Sequence, residues 1–150
     1  MLGELPEEYI IFSGIVYDNS EIAHVVFSRK QGLFIINNAA GKGEVTDKGS
    51  LLHINNKPHS EVIHKSLRDA FWLRSTIRQQ IGVDAPINSL AVFENASVKI
   101  ERPILGVTAV ESRNLIDAIT RSPEKTFLED GVVMVLRELQ GVRTINRRGT

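Results

Sequence analysis

The sequence predicts an α/β fold in which a mixed β-sheet is flanked by helices, and three observations carry that expectation. Runs rich in β-branched and aromatic residues fill the first third of the chain; one long amphipathic stretch, Ser60 to Ile81, follows them; and a further apolar run, Ile87 to Phe93, returns before two more helical stretches. Strands, a long helix, a strand and then helices imply layers packed on one sheet. At 150 residues and 42% apolar composition the chain is a single domain, 1–150, with a core over about 9–121, a C-terminal helix and a short tail. Lysine plus arginine equal aspartate plus glutamate at 18 each, so no global field recruits nucleic acid or an anionic membrane, and any such contact must use a local patch. The chain has no cysteine, which excludes disulfides and thiolate metal sites. With no basic-apolar leader and no long apolar run, the expectation is a cytoplasmic domain with no membrane contact in this segment.

Taken in order, Tyr9 to Val16 reads as a first strand, Asp18-Asn19-Ser20 as its turn and Glu21 to Ser28 as a second strand. Leu33 to Ile36 has the unbroken apolar character of a strand buried on both faces, with Asn37-Asn38 and the glycines after them as its exit. Val45 to Leu52 reads as a hairpin. In Ser60 to Ile81 the residues Ile63, Leu67, Ala70, Ile77 and Ile81 share a helical face, and Gly82 is placed to end the helix. Trp72 falls outside that face, on the side of Lys65, Arg68, Ser75 and Gln79: either a terminal helix or loop covers it, or it is an exposed aromatic beside basic groups. Ile87 to Phe93 is a buried-type strand, and Ile100 to Val107 a short one interrupted by Pro103. Thr108 to Glu111 has the form of a capping box, predicting a helix from about Ala109 to Arg121, stopped by Ser122-Pro123. The last helix, 129–140, offers Val132, Val135, Leu136 and Leu139 as its buried stripe and ends at Gly141; the tail, 143–150, carries three arginines and frays.

The segments Glu21-Ile22-Ala23-His24-Val25-Val26, Gly32 to Ala40 and Gly43-Glu44-Val45 resemble the nuclease-related domain (NERD), a branch of the PD-(D/E)XK nuclease-like superfamily, over about Tyr9 to Ile119. The resemblance implies a restriction-endonuclease-like core. It also implies a metal site in which an aspartate of an Ile-Asp-His strand and the glutamate of a Glu-x-Lys-Asn strand end hold Mg²⁺, while the lysine of that strand end stabilises charge or orients the attacking water. His24, the apolar strand and the glycines match. The aspartate, however, falls on Ala23, the glutamate on Asn37, the lysine on Ala39 and the asparagine on Ala40, and groups that act as a unit leave only a background rate once three are gone. The family's long helix begins Asn-Pro and carries a glutamine that reaches the site; Glu61-Val62 and Lys65 stand there. Its helix ahead of the first strand has no room before Tyr9.

No catalytic residue is therefore assigned. Glu21, Lys42 and Glu44 are the displaced groups that could restore a nuclease, and Mg²⁺ enters only with them. His24 points away from Glu21 and Ala23 in alternating geometry and reads as structural. His53, His59 and His64 lack zinc-site spacing, and Gly41-Lys42-Gly43 lacks that of a phosphate loop. The expected function is a non-catalytic nuclease-like domain that binds nucleic acid through Lys42, Lys65, Arg68 and Trp72 or serves as a scaffold. The alternatives are an active metal-dependent DNA/RNA nuclease with displaced ligands, and a protein-interaction or oligomerisation module. Expected partners are nucleic acid, other domains of a longer protein or a second copy.

Overall fold

A computed structural model describes residues 2–149, with side chains through Gly141. Strand β1 (Ile10–Tyr17), β2 (Ser20–Ser28) and β3 (Gly32–Lys48) form an antiparallel meander. Asp18 and Asn19, both at positive φ, make the first turn in the conformation that asparagine and aspartate tolerate best. Strands β4 (Leu51–Ile54) and β5 (Lys57–Pro58) fold back on the far half of β3, and helix α1 (Glu61–Ile81) then carries the chain to β6 (Ile87–Val98), which lies parallel to β3. Strand β7 (Val107–Glu111) is parallel to β6. The described residues thus make one seven-stranded mixed sheet with three α-helices, completed by α2 (Leu115–Thr120) and α3 (Asp130–Gly149). Among the described residues no helix is long and apolar enough to cross a membrane.

Both faces of the sheet are covered. Leu73 and Ile77 of α1 and Val132, Val135 and Leu136 of α3 pack on Phe12, Val25, Phe27, Leu33 and Ile35. On the opposite face Leu115 and Ile119 of α2 cover Val26, Phe34, Ile36, Leu90 and Val92. A third cluster joins Val45, Leu52, Ile54, Ile63 and Phe93 under the hairpin. The double coverage explains the uninterrupted apolar run of β3, whose residues Gly32 to Asn37 are all buried.

Several expectations change. The strand does not leave the sheet at Asn37-Asn38. These residues pair with Ala91 and Val92, and β3 runs on to Lys48 past an irregularity between Ala39 and Lys42. The glycines let it do so: Gly43 (φ 115°) lies against the Asn55 amide, which accepts from Glu44 N–H at 2.9 Å and donates to the Lys42 carbonyl at 3.1 Å. A Cβ at Gly43 would stand 2.2 Å from Asn55 Nδ2. The buried stripe of α1 is Ile63, Ser66, Asp69, Leu73 and Ile77, whereas Leu67 and Ile81 are exposed. Burying Ile63, Leu73 and Ile77 is worth about 1.5–3 kcal/mol each, enough to set the helix rotation and take two polar residues inside provided they are paired.

Val107 to Glu111 is a strand, not the start of a helix: its β-branched residues pair with Ser89 to Phe93, and Glu111 accepts from Val98 N–H instead of closing a capping box. Helix α2 is correspondingly short. Helix α3 continues past Gly141; the arginine side chains expected to fray in the tail lie outside the described side chains.

Candidate functional site

The polar residues that the apolar stripe of α1 carries inward meet the end of the buried run of β3. Asp69 is 0% exposed and takes three donors. Its Oδ2 accepts from Lys65 Nζ at 2.7 Å and from Asn37 Nδ2 at 3.0 Å, and its Oδ1 accepts a short bond from the Tyr17 hydroxyl. Asn37 Nδ2 also lies 3.3 Å from Ser66 Oγ, and Asn37 Oδ1 accepts from Lys65 Nζ at 3.1 Å, so the network fixes which way the amide points. Lys65 makes a third bond, 2.7 Å, to the carbonyl of Glu21 at the start of β2. Two strands, the β1 turn and one helix therefore close on a single ion pair whose lysine side chain is 32% exposed.

Tyr17 completes the cluster from outside. Its ring stacks on Trp72 at 4.2 Å between centroids and 10° between planes. Burial, then the hydrogen bond to Asp69 and the charge of that carboxylate, push its phenol up to about 12. It is a neutral donor at physiological pH, not an activated nucleophile.

The positions singled out by the resemblance are gathered at this end of the sheet. The last β2–β3 pair is His24 with Ile36, so Ala23 and Asn37 are the next residues on adjacent strands. Ile22 and Val25, three residues apart, join the same cluster, so the strict alternation expected across Glu21 to His24 is broken there. Ala39, with Asn38, Ala40 and Gly41, lines a cleft of about 660 Å³ whose far wall is the first turn of α1 and Lys65. Lys42, Glu44, Arg68 and Glu21 are exposed and are not among the residues lining it.

Two of the four residues expected to face nucleic acid are instead engaged within the fold: Lys65 in the cluster, and Trp72 against Tyr17 and the core. Tyr17 at the end of β1 stacks on the indole, which packs against the core cluster to which α3 contributes Val132, Val135 and Leu136. His24 bonds Ser13 Oγ through Nδ1 at 2.8 Å, and burial holds its pKa below the ordinary value. His53 is buried in β4. A larger cavity of about 740 Å³ lies beside Gln31, whose amide is saturated by Tyr9, Ser28 and the carbonyls of Ile119 and Ser122 and so holds turns together.

No family model, no curated protein and no solved structure matches this chain. What the site can do rests on its own geometry. The divalent ion that the resemblance implies does not fit the residues present: Ala23 and Ala39 carry no donor atom, both oxygens of Asp69 are taken, and the point where the cluster's free oxygens converge holds the Lys65 ammonium.

Sequence reasoning missed Asp69, Tyr17 and Ser66. A signal for Asp69 was present: it is in phase with Ile63, Leu73 and Ile77 and four residues after a lysine, and a charge on a buried stripe requires a partner.

Proposed function

We propose that this chain is a non-catalytic binding or scaffolding module built on the frame of the nuclease-related domains, with the former metal site converted into a structural ion pair. The observation that carries the reading is the saturation of Asp69. The buried carboxylate nearest to Asn37 is neutralised by Lys65 and bonded by Asn37 and Tyr17, so both its oxygens are engaged and neither is open to a free ion or to a water to be activated. The adjacency of Ala23 and Asn37, and the parallel placement of β6 beside β3 after a helical crossover, support the kinship with a restriction-endonuclease-like core. Lys42 and Arg68 are the expected nucleic-acid contacts that remain exposed.

A protein partner is the second reading, favoured by Phe71, 76% exposed, one turn after the exposed Leu67 on the outer side of α1. DNA and RNA, single- and double-stranded, incubated with Mg²⁺ or Mn²⁺ should stay intact. Fluorescence anisotropy across a salt series separates the two partner classes, because phosphate contacts weaken steeply as salt rises and apolar protein contacts do not. Cleavage that disappears on Asp69→Asn or Asn37→Ala exchange overturns the reading in favour of a nuclease with displaced ligands.

A further inference from the structure

We infer that the Lys65 ammonium is a tethered substitute for a hard divalent cation, closing a latent all-oxygen ion site made by the Glu21 carbonyl, Asn37 Oδ1 and Asp69 Oδ2. Those three oxygens converge on Nζ at 2.7, 3.1 and 2.7 Å, from three different elements. A carbonyl, an amide oxygen and a carboxylate are the donor types that Ca²⁺ and Mn²⁺ take. Contraction of a few tenths of an ångström would bring them to the 2.3–2.6 Å that Ca²⁺ prefers, whereas Mg²⁺, at about 2.0–2.1 Å, demands more. Calcium is therefore the ion the pocket suits, with water completing the shell through the opening beside the partly exposed lysine side chain.

The amide of Asn37 is already turned with its oxygen toward the cation and its nitrogen toward Asp69 and Ser66, so the cradle survives removal of the lysine. None of the three oxygens belongs to the Ala23 or Ala39 positions. These distances are the same whether or not the frame descends from a nuclease. Covalent attachment gives the ammonium an effective concentration that a free ion cannot match, which makes the bracket between α1, β2 and β3 independent of metal supply.

The test replaces the tether with an ion. Lys65→Ala should melt well below the wild type in chelator, and its Tm should rise with added Ca²⁺, while the wild-type Tm stays fixed. Adding Asp69→Asn to Lys65→Ala should abolish the rise. Terbium supplies a second readout: Trp72, the single tryptophan, stacks on Tyr17, whose hydroxyl bonds the same carboxylate, so Lys65→Ala should sensitise Tb³⁺ luminescence and the wild type should not. Lys65→Gln, which keeps more of the side-chain volume, repeats both measurements if the alanine variant does not fold in chelator. Ion-dependent folding of either variant supports the inference. Absence of any ion-dependent shift, an equal shift in the wild type, or failure of both variants to fold even with the ion would overturn it.

Discussion

Cutting the Lys65–Asp69 pair from its two sides should give unequal losses, because the partners are unequally buried. Lys65→Met leaves the carboxylate of a 0% exposed residue without its cation, held only by Asn37 and Tyr17. Breaking a buried pair in this way costs about 3–5 kcal/mol. Asp69→Ala instead leaves an ammonium whose side chain is 32% exposed and can turn to water. It strands mainly the Asn37 amide, which keeps Ser66, and the Tyr17 hydroxyl, and alanine returns a few tenths of a kcal/mol of helix propensity, so about 1–3 kcal/mol is expected.

The double variant removes the stranded charge along with its partner and should be more stable than Lys65→Met alone. Urea denaturation followed by circular dichroism, with chelator present, measures all three. For a chain of this size 3–5 kcal/mol corresponds to a Tm decrease on the order of 6–20 °C. Strictly additive losses, or a Lys65→Met loss under about half a kcal/mol, would refute the coupling on which the site description depends.

Tyr17→Phe leaves a buried Asp69 oxygen without its donor and should destabilise by about 1–3 kcal/mol. Because the fold raises the Tyr17 phenol from 10.0 to about 12, it favours the protonated form; that stability is complete below pH 10 and is lost as pH rises toward 12, a component the Phe variant should lack in alkaline melts. Burial lowers His24 from 6.5, so the fold favours neutral imidazole; its contribution is present above pH 6.5 and is lost as pH falls through the folded value, and a His24→Asn variant should show a smaller acid-side decline in Tm. Gly43→Ala should lose about 1–3 kcal/mol in thermal unfolding, since its Cβ would meet Asn55 at a φ of 115°. Gly49→Ala, with open space at its own positive φ, should lose only about 1 kcal/mol; equal losses would show that the Asn55 clamp is not what holds the hairpin.

The order of strands and the long helix was legible because burial imposes a visible period: the β3 run is apolar on both faces, and Gly82 ends α1 at φ 69° as its position implies. The rotation of α1 was not, because Leu67 and Ala70 compete with Ser66 and Asp69 for the inward stripe. The strand-borne Asn37 and Tyr17, distant in sequence, join Lys65 in making a buried aspartate tolerable. Val107 to Glu111 was misread for a related reason: its local capping pattern suits a helix, while its pairing partner, β6, lies across a loop. The Ala23–Asn37 neighbourhood was what the resemblance implied, but the ion pair beside it comes from a helix, and the period of α1 does not say which strand residues its buried stripe meets.

Asp69 is sealed by the chain's own lysine. Anomalous diffraction from wild-type crystals soaked in Mn²⁺ tests this most directly. The prediction is no manganese peak within bonding distance of Asp69, with Lys65 Nζ in density among the oxygens of Glu21, Asn37 and Asp69. A manganese ion bound to Asp69, with the lysine swung aside, would contradict it.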